Sequence, residues 1–341
     1  MTPSQQPMEI LRTVAELHRW SREIRIRAAS ASHQVPRDEG DELQHGPSEN
    51  SEGGGGFNPR MRSAISAGAL APEGNLAAPL NPPPIALVPT MGALHAGHAS
   101  LIRAAASRCR HVVVSIFVNP TQFGPTEDFS RYPRSFDADC ALAQSQGAHA
   151  IFAPSVEEMY PAGASTFVEV ENLGNRLDGR SRPGHFRGVA TVVAKLFIAA
   201  EPDLAFFGQK DAAQVSVLRR MTADLRLGTG IVVCPIVRDP DGLALSSRNA
   251  YLSPAERAHA LTLSRAIRHV EALVSNGERR AAALITAARE LFAAQPAVRI
   301  DYVALVDWAT LEPVETAAPG TLFAVAAYVG PTRLIDNTIL D

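Results

Sequence analysis

The sequence predicts an α/β fold, with a doubly wound parallel sheet and a smaller α+β domain at the C-terminal end. Apolar runs of strand length alternate with segments of helical period between residues 85 and 249. These runs are apolar at almost every position, which is typical of parallel strands covered on both faces. Beyond Asn249 the pattern changes to two Ala- and Arg-rich helical segments and then two strand-like runs. This change indicates a second unit of ordinary domain size.

The first element is a helix over about residues 8–28, because its apolar residues fall near one helical stripe. In the sheet region, β-branched and aromatic runs predict strands at Ile85–Val88, His111–Val118, Ala148–Ser155, Leu204–Gly208 and Gly230–Val237. The intervening helices are predicted at Gly97–Ser107, Phe136–Gln146, Val189–Ala200 and Asp211–Leu225. The C-terminal unit is predicted to contain helices Pro254–Ser275 and Glu278–Ala294 and strands Ile300–Val306 and Leu322–Val329.

Residues 29–84 differ in composition from the rest of the chain. They are rich in Ser, Gly, Pro and Asn, and they include the runs Gly53–Gly56 and Pro82–Pro84. Such a composition buries too little apolar surface to offset the entropy of ordering, so it predicts a disordered insertion. We therefore divide the chain into an N-terminal helix of the main domain (1–28), the insertion (29–84), a Rossmann-like domain (85–249) and the α+β domain (250–341).

The bulk composition excludes several classes of protein. The formal net charge of −3 provides no basic field for nucleic-acid binding, so we expect no nucleic-acid partner. No run approaches the roughly 18 apolar residues of a membrane span, and the N-terminus lacks the apolar core of a signal peptide. The three cysteines are scattered along the chain, which fits a reducing compartment. A cytoplasmic enzyme or binding protein is expected.

The stretch TMGALHAGHASL, from Thr90 to Leu101, places two histidines three residues apart after the first sheet strand. A lone histidine near a helix start more often packs or caps, and a zinc site would need further ligands that the neighbourhood lacks. A phosphate site fits better. Gly92 and Gly97 allow the backbone to approach a ligand, while the helix N-terminus and the imidazoles of His95 and His98 offer donors.

Two more polar turns follow strands of the same sheet. In FGQKDAAQ, Gly208 permits a turn, Lys210 provides a point charge for phosphate and Asp211 is a candidate ligand for Mg²⁺. Gln214 lies one helical turn beyond Lys210 and is expected to face the same cleft. In DGLALSSRNAYLS, hydroxyl groups stand beside Arg248, whose guanidinium suits bidentate phosphate contact. Each turn alone is also typical of a solvated loop or a helix cap.

Two further stretches supply candidate ligand groups. Asn119 and Gln122 follow the second sheet strand and carry amides of the kind that orient a small hydroxy acid. The acidic residues Glu127 and Asp128, further along this stretch, are interpreted as solvated loop charge. In RPGHFRGV, His185 and Arg187 are expected on a loop before an apolar helix, and contact of either side chain with a ligand is left open. Ligands of such sheets bind outside the carboxyl ends of the strands, where these stretches lie.

Taken together, these stretches resemble the pantoate–β-alanine ligase family of the nucleotidyltransferase superfamily, which carries the His-x-Gly-His signature. The matching stretches occur in family order between Ile85 and Asn337: LVPTMGALHAGH, VVSIFVNPTQFGPTEDFSRYPR, FAPSVEEMYP, SRPGHFRGVATVVAKLF, FFGQKDAAQ, DGLALSSRNAYLS and TRLIDN. The resemblance implies an ATP- and Mg²⁺-dependent homodimer. It implies that pantoate attacks ATP to give pantoyl adenylate and pyrophosphate, and that β-alanine then displaces AMP to form pantothenate.

The resemblance also assigns residues by position. The implied ATP site comprises Met91, Gly92, Ala93, Leu94, His95, Ala96, Gly97, His98, Gly208, Gln209, Lys210, Asp211, Val237, Leu245, Ser246, Ser247 and Arg248. Gln122 and Gln214 are implied to bind pantoate, and Gln122 also to border the β-alanine site. His98, as proton donor, is implied to be catalytic together with His95, Lys210 and Arg248.

Two rival functions remain open at this point. Another adenylyl- or cytidylyltransferase of the superfamily would share the histidine signature but would lack the Asn-Pro-Thr-Gln-Phe stretch. A non-catalytic nucleotide-binding or RNA-associated module would share the fold. The acidic net charge and the presence of both histidines, Lys210 and Arg248 disfavour this second rival.

Overall fold

The protein is represented by a computed structural model that describes residues 7–32, 84–125, 127 and 129–341. The predicted insertion therefore lies outside the described residues except at its two ends. At the first end the prediction was wrong by a few positions, because residues 29–32 continue the N-terminal helix. The other predicted domain limits stay predictions.

The described residues form a six-stranded sheet in which all pairs are parallel, in the order β1-β4-β3-β2-β5-β6. Its strands are β1 (Glu9–Leu11), β2 (Ile85–Thr90), β3 (His111–Ile116), β4 (Ala150–Phe152), β5 (Leu204–Gly208) and β6 (Gly230–Cys234). The chain adds strands on one side of β2 and then, from β5 onward, on the other. The strand order therefore reverses between β2 and β5, which is where such sheets open a crevice for a ligand.

Helices cover both faces of this sheet. They are α1 (Val14–Ser32), α2 (Ala96–Arg108), α3 (Phe136–Ser145), α4 (Val156–Met159), α5 (Asp178–Ser181), α6 (His185–Ala200) and α7 (Ala212–Asp224). Along β2, Ile85 and Leu87 belong to the core shared with α1, α6 and α7, whereas Ala86 and Val88 belong to the core shared with α2 and α3. The alternation of side chains along a strand explains this division. The doubly wound α/β fold is confirmed.

The remaining elements form a three-stranded antiparallel sheet packed against two helices. They are α8 (Pro254–Ser275), α9 (Ala281–Ala293), β7 (Val298–Asp307), β8 (Thr321–Val329) and β9 (Thr332–Ile339), with strand order β7-β8-β9. Strand β9 was not predicted from the sequence, because Asp336 and Asn337 are of types depleted in strands. No helix in the described part of the chain combines the length and apolar character needed to cross a membrane.

The N-terminal helix was predicted to begin too early. Residues Glu9–Leu11 instead form β1, paired with β4 at the edge of the sheet, and α1 begins at Val14. The change of structure has a local cause. The Glu16 carboxylate accepts hydrogen bonds from the backbone N–H groups of Arg12 and Thr13, and the Thr13 hydroxyl accepts one from Glu16 N–H, so the helix is capped there.

Helix α6 also begins earlier than predicted, at His185 rather than Val189. Gly188, just before the predicted start, is helical and buried. A Cβ atom there would lie 2.3 Å from the carbonyl oxygen of Thr121, so only glycine permits this close approach. The interpretation of His185 as a loop residue was therefore wrong.

Candidate active site

A cleft that is open to solvent lies at the carboxyl ends of β2 and β5, where the strand order reverses. Five separate stretches of sequence meet there, within residues 89–101, 115–132, 182–196, 207–214 and 235–248. The predicted residues that line the cleft are Met91, His95, Gly97, His98, Gln122, Gly208, Lys210, Asp211, Gln214, Val237, Leu245, Ser246, Ser247 and Arg248. The structure thus brings the three predicted phosphate turns and both glutamines around one space.

Five residues of the predicted ATP site do not line this cleft. Gly92, at a φ of 83°, and Ala93 shape the turn after β2, while Leu94 packs against the core beneath α2. Ala96 is the exposed first residue of α2, and the Gln209 amide contacts the C-terminal sheet. These residues shape the two turns, so any ligand contact from them stays a prediction.

The turn between β2 and α2 is held by an aspartate that sequence reasoning missed. Asp139, in α3, is 2% exposed, and its carboxylate accepts hydrogen bonds from the N–H groups of Ala93 and Leu94 at 2.9 and 2.8 Å. From the other side, the Thr90 hydroxyl accepts a hydrogen bond from Gly92 N–H and donates one to the Ser115 carbonyl. The available signal was an acidic residue at an apolar-face position of α3, one turn beyond Phe136.

The two histidines of this turn form a reciprocal cap. His95 Nδ1 accepts a hydrogen bond from Gly97 N–H at 3.1 Å, and His98 Nδ1 accepts one from His95 N–H at 3.3 Å. Their ring centroids are 4.1 Å apart. Burial, His95 and Lys210 lower the pKa of His98 to about 3, and burial followed by Lys210 also lowers the pKa of His95. Both rings are therefore neutral at pH 7, with the proton on Nε2 available to donate to a phosphate.

On the other side of the cleft, Gln122 lies on a short turn after β3. This turn also carries Asn119, which is 1% exposed. The Asn119 Nδ2 donates hydrogen bonds to Gln122 Oε1 at 3.0 Å and to the Gly188 carbonyl at 3.1 Å. The Asn119 Oδ1 accepts one from the Tyr160 hydroxyl at 2.9 Å. These contacts use the Asn119 amide within the protein. Asn119 therefore positions Gln122; it also lines the cleft, so direct contact with a ligand stays a prediction.

An ion pair encloses the same side of the cleft. The Arg182 guanidinium donates to both carboxylate oxygens of Glu127, at 2.7 and 2.6 Å, and Arg182 also contacts His185 Nε2 at 2.8 Å. The interpretation of Glu127 as solvated charge was wrong, because its side chain is only 23% exposed and fully paired. Asp128 lies outside the described residues. Burial and Arg182 lower the pKa of His185 to about 4, and His185 Nδ1 contacts the Gln122 carbonyl at 2.8 Å.

The cationic side of the cleft consists of the two later turns. Lys210 lies on a 3-10 turn between β5 and α7, with its ammonium 3.2 Å from Asp211 Oδ1. The second turn begins at Ser246, whose hydroxyl accepts a hydrogen bond from Arg248 N–H. Ser247 lies 3.4 Å from the hydroxyl of Tyr132 across the cleft. This arrangement directs positive charge and hydroxyl donors at one region, as a polyphosphate requires.

The described residues provide no separate metal site, since no group of three or more His, Cys, Asp and Glu side chains is placed to hold an ion. Mg²⁺ in nucleotide sites needs only one or two carboxylates, because substrate phosphates and water complete its coordination. Asp211 is one such carboxylate at the cleft wall. The donor set therefore fits Mg²⁺ that arrives with ATP.

Comparison with known proteins agrees with this geometry. The family model described as pantoate-beta-alanine ligase matches residues 75–339. The chain belongs to this family. Among curated ligases of the family, the pantothenate synthetase of Acidobacterium capsulatum is 62% identical over 256 residues, which span 75% of this chain and 86% of the relative. That of Koribacter versatilis is 56% identical over 257 residues, covering 75% and 88%.

Solved structures of the ligase family share the fold. A pantothenate synthetase from Thermus thermophilus superposes with a TM-score of 0.73 at 47% identity, covering 75% of this chain and 93% of that one. The pantoate-beta-alanine ligase of Francisella tularensis, complexed with beta-gamma ATP and beta-alanine, has a TM-score of 0.65 at 28% identity and covers 97% of both chains.

Proposed function

We propose that this protein is an ATP-dependent pantoate–β-alanine ligase that forms pantothenate through a pantoyl adenylate. A pantoate carboxylate oxygen attacks the α-phosphorus of ATP, and the bond from that phosphorus to the β-phosphate oxygen breaks, releasing pyrophosphate. The β-alanine amine then attacks the acyl carbon. The bond to AMP breaks, and the amine loses a proton as the amide forms.

One observation carries this proposal: cationic phosphate donors and two glutamine amides line a single cleft. The first step needs a charged phosphate chain to be held and a small hydroxy acid to be oriented, without a protein nucleophile. Lys210 and Arg248 offset the charge that develops on the leaving pyrophosphate, while Gln122 and Gln214 bind pantoate and Gln122 borders the β-alanine site. When bound with ATP, Mg²⁺ neutralises phosphate charge, and Asp211 would hold it.

The histidines act as donors in this scheme. Because Nδ1 of each ring accepts a backbone N–H, His95 and His98 offer Nε2–H to the α- and β-phosphates. In this neutral tautomer His98 acts on the phosphates as a hydrogen-bond donor. The transfer of a proton that the family resemblance implies stays a prediction.

The proposal includes a homodimer in the cytoplasm, with pantoate, β-alanine and ATP as partners and no nucleic acid. The cysteines Cys109, Cys140 and Cys234 are free thiols in the structure, which supports a reducing compartment. Sedimentation velocity at micromolar concentration tests the dimer.

Isotope exchange tests the function. Pantoate alone should support exchange of labelled pyrophosphate into ATP, and AMP release should require pantoate and β-alanine together. Label in the pantoate carboxylate oxygen should appear in AMP. Exchange that requires β-alanine would contradict the stepwise mechanism, and activity with a different acceptor but none with pantoate would favour another nucleotidyltransferase.

A further inference from the structure

The last strand of the C-terminal sheet contacts the turn that carries Lys210. Asn337 Nδ2 donates hydrogen bonds to the backbone carbonyl oxygens of Gln209 at 3.0 Å and Lys210 at 2.9 Å, and Asn337 Oδ1 accepts one from Gln209 Nε2 at 3.3 Å. Asn337 is 3% exposed, so water does not replace these contacts. A strand remote in sequence thus holds the main chain of this turn.

These two carbonyl groups precede the hydrogen-bond ladder of α7, because Asp211 is the N-cap of that helix. Asn337 provides one amide group that donates to both. The backbone of the turn is fixed by β5 on one side and by Asn337 on the other. The Lys210 side chain therefore starts from a defined position.

The residue next to Asn337 reaches the second cationic turn. Asp336 is 2% exposed and pairs with Arg238 through two contacts of 2.6 and 2.9 Å. Arg238 also donates to the Gly242 carbonyl, which closes the hairpin that leads into Ser246 and Arg248. Adjacent residues of β9 therefore contact the two segments that bear Lys210 and Arg248.

We propose that Asn337 is a positioning residue for the adenylation step, acting through the backbone of Lys210. The inference rests on the proposed function, because it requires that Lys210 contacts the ATP phosphates. Packing of the C-terminal sheet then completes the phosphate-binding side of the cleft, and the second step, which no longer involves pyrophosphate, does not depend on Asn337.

Kinetics of Asn337→Ala test this role. We expect the turnover of pyrophosphate exchange to fall by ~10²-fold, the usual effect of a misplaced catalytic group, with KM for pantoate unchanged. Pantoyl adenylate supplied directly should react with β-alanine at the wild-type rate. In a double-mutant cycle, Asn337→Ala should cause no further loss in a Lys210→Ala background and should retain its full effect in an Arg248→Ala background.

Thr338→Val is the matched control. Thr338 lies on the same strand, but its hydroxyl donates to Glu271 Oε1 on α8 at 2.7 Å, away from the cleft. Thr338→Val should keep wild-type exchange activity. Asn337→Ser retains one donor and should lose less activity than Asn337→Ala, which provides a second variant if alanine prevents folding.

Several outcomes would overturn the inference. The first is a wild-type exchange rate in Asn337→Ala. The second is a loss from Asn337→Ala that is as large in the Lys210→Ala background as in the wild type, and the third is a slowed reaction of pantoyl adenylate with β-alanine in Asn337→Ala. The last is loss of the fold in both Asn337 variants, measured by circular dichroism, which would give Asn337 a purely structural role. Absence of pantoate-dependent exchange in the wild-type enzyme would instead contradict the proposed function, and this inference with it.

Discussion

The Nδ1 atom of His98 accepts a hydrogen bond from the backbone N–H of His95, 3.3 Å away. That contact fixes the tautomer of a half-buried ring whose pKa is lowered to about 3 by burial, His95 and Lys210. The ligand-free enzyme therefore holds His98 as a neutral donor. The signature thus serves two purposes, because the atoms that cap α2 also turn the remaining ring nitrogen toward the cleft.

This arrangement predicts how stability depends on pH. The pKa of His98 in the folded state lies below the value near 6.5 of an unfolded chain, so unfolding takes up a proton between these limits. The stability contributed by neutral His98 is complete above about pH 6.5 and is lost as the pH falls toward 3. Urea unfolding of wild-type protein and of His98→Gln at pH 7 and pH 5 measures the difference. Between pH 7 and pH 5, the free energy of unfolding of the variant should fall by up to about 2 kcal/mol less than that of the wild type.

His269→Gln is the control for that experiment, because His269 is exposed on α8. An unchanged dependence in His98→Gln would show that the ring is not held neutral by the fold.

The charge on Lys210 is expected to be needed for turnover. Its ammonium lies at the cleft wall beside Asp211, with 21% of the side chain exposed. Lys210→Ala should reduce the rate of pyrophosphate exchange by ~10²–10³, as is typical for loss of a group that stabilises transition-state charge. Circular dichroism should show an intact fold. Lys210→Arg keeps the charge in another geometry, so its exchange rate should lie between those of the wild type and Lys210→Ala. Near-normal exchange by Lys210→Ala would exclude a catalytic role.

Asp139 is expected to support activity without touching substrate. Asp139→Asn replaces one accepting oxygen by an NH₂ group opposite the N–H of Ala93 or Leu94, so one buried donor loses its partner. We expect destabilisation of ~1–3 kcal/mol by urea unfolding and a raised KM for ATP, because the histidine turn shifts. Asp137→Asn, on the exposed side of the same helix, is the control and should alter neither quantity. A normal KM for ATP in Asp139→Asn would show that the turn between β2 and α2 keeps its conformation without Asp139.

Asp139 also illustrates which features could be read from the sequence. The strands and phosphate turns were predictable because each is local: an apolar run, a glycine and a polar residue stand within a few positions of one another. The contacts of Asp139 with Ala93 and Leu94 span 46 and 45 residues, and those of Asn337 with the Lys210 turn span 127 and 128. Such pairs depend on how the helices and strands pack together, and the periodicity of hydrophobic residues along the sequence does not predict that packing.

The partners of Glu127 and Asn119 could not be predicted for a related reason. An acidic residue among Gly, Pro and Thr is typical of a solvated loop, and only the position of Arg182 gives Glu127 a partly buried ion pair. Asn119 has the same amide as a ligand-binding residue, yet the close approach of α6 at Gly188 uses that amide internally. Residue type indicated a polar function correctly in both cases, whereas the partner came from the fold.

One aspartate, Asp203, contacts the elements that precede and follow the predicted insertion. Asp203 Oδ1 pairs with Arg25 of α1 at 3.3 Å, and its Oδ2 accepts a hydrogen bond from Ile85 N–H at the start of β2 at 2.9 Å. Helix α1 continues seven residues beyond Arg25 to Ser32, about 10 Å along its axis. Ten residues of extended chain span roughly 33 Å, so a short linker can return from Ser32 to Pro84.

Replacement of residues 33–83 by about ten Gly and Ser residues should therefore leave the ligase activity unchanged. The described residues that line the cleft all lie between Pro89 and Arg248. Closing a loop costs only ~0.6 kcal/mol for each doubling of its length, so the shorter chain should unfold at nearly the same urea concentration. Limited proteolysis of the full chain should cut first within 33–83, in keeping with its Gly-, Pro- and Ser-rich composition. Loss of activity in the shortened enzyme, or resistance of this segment while other loops are cut, would show that the insertion is an ordered functional element.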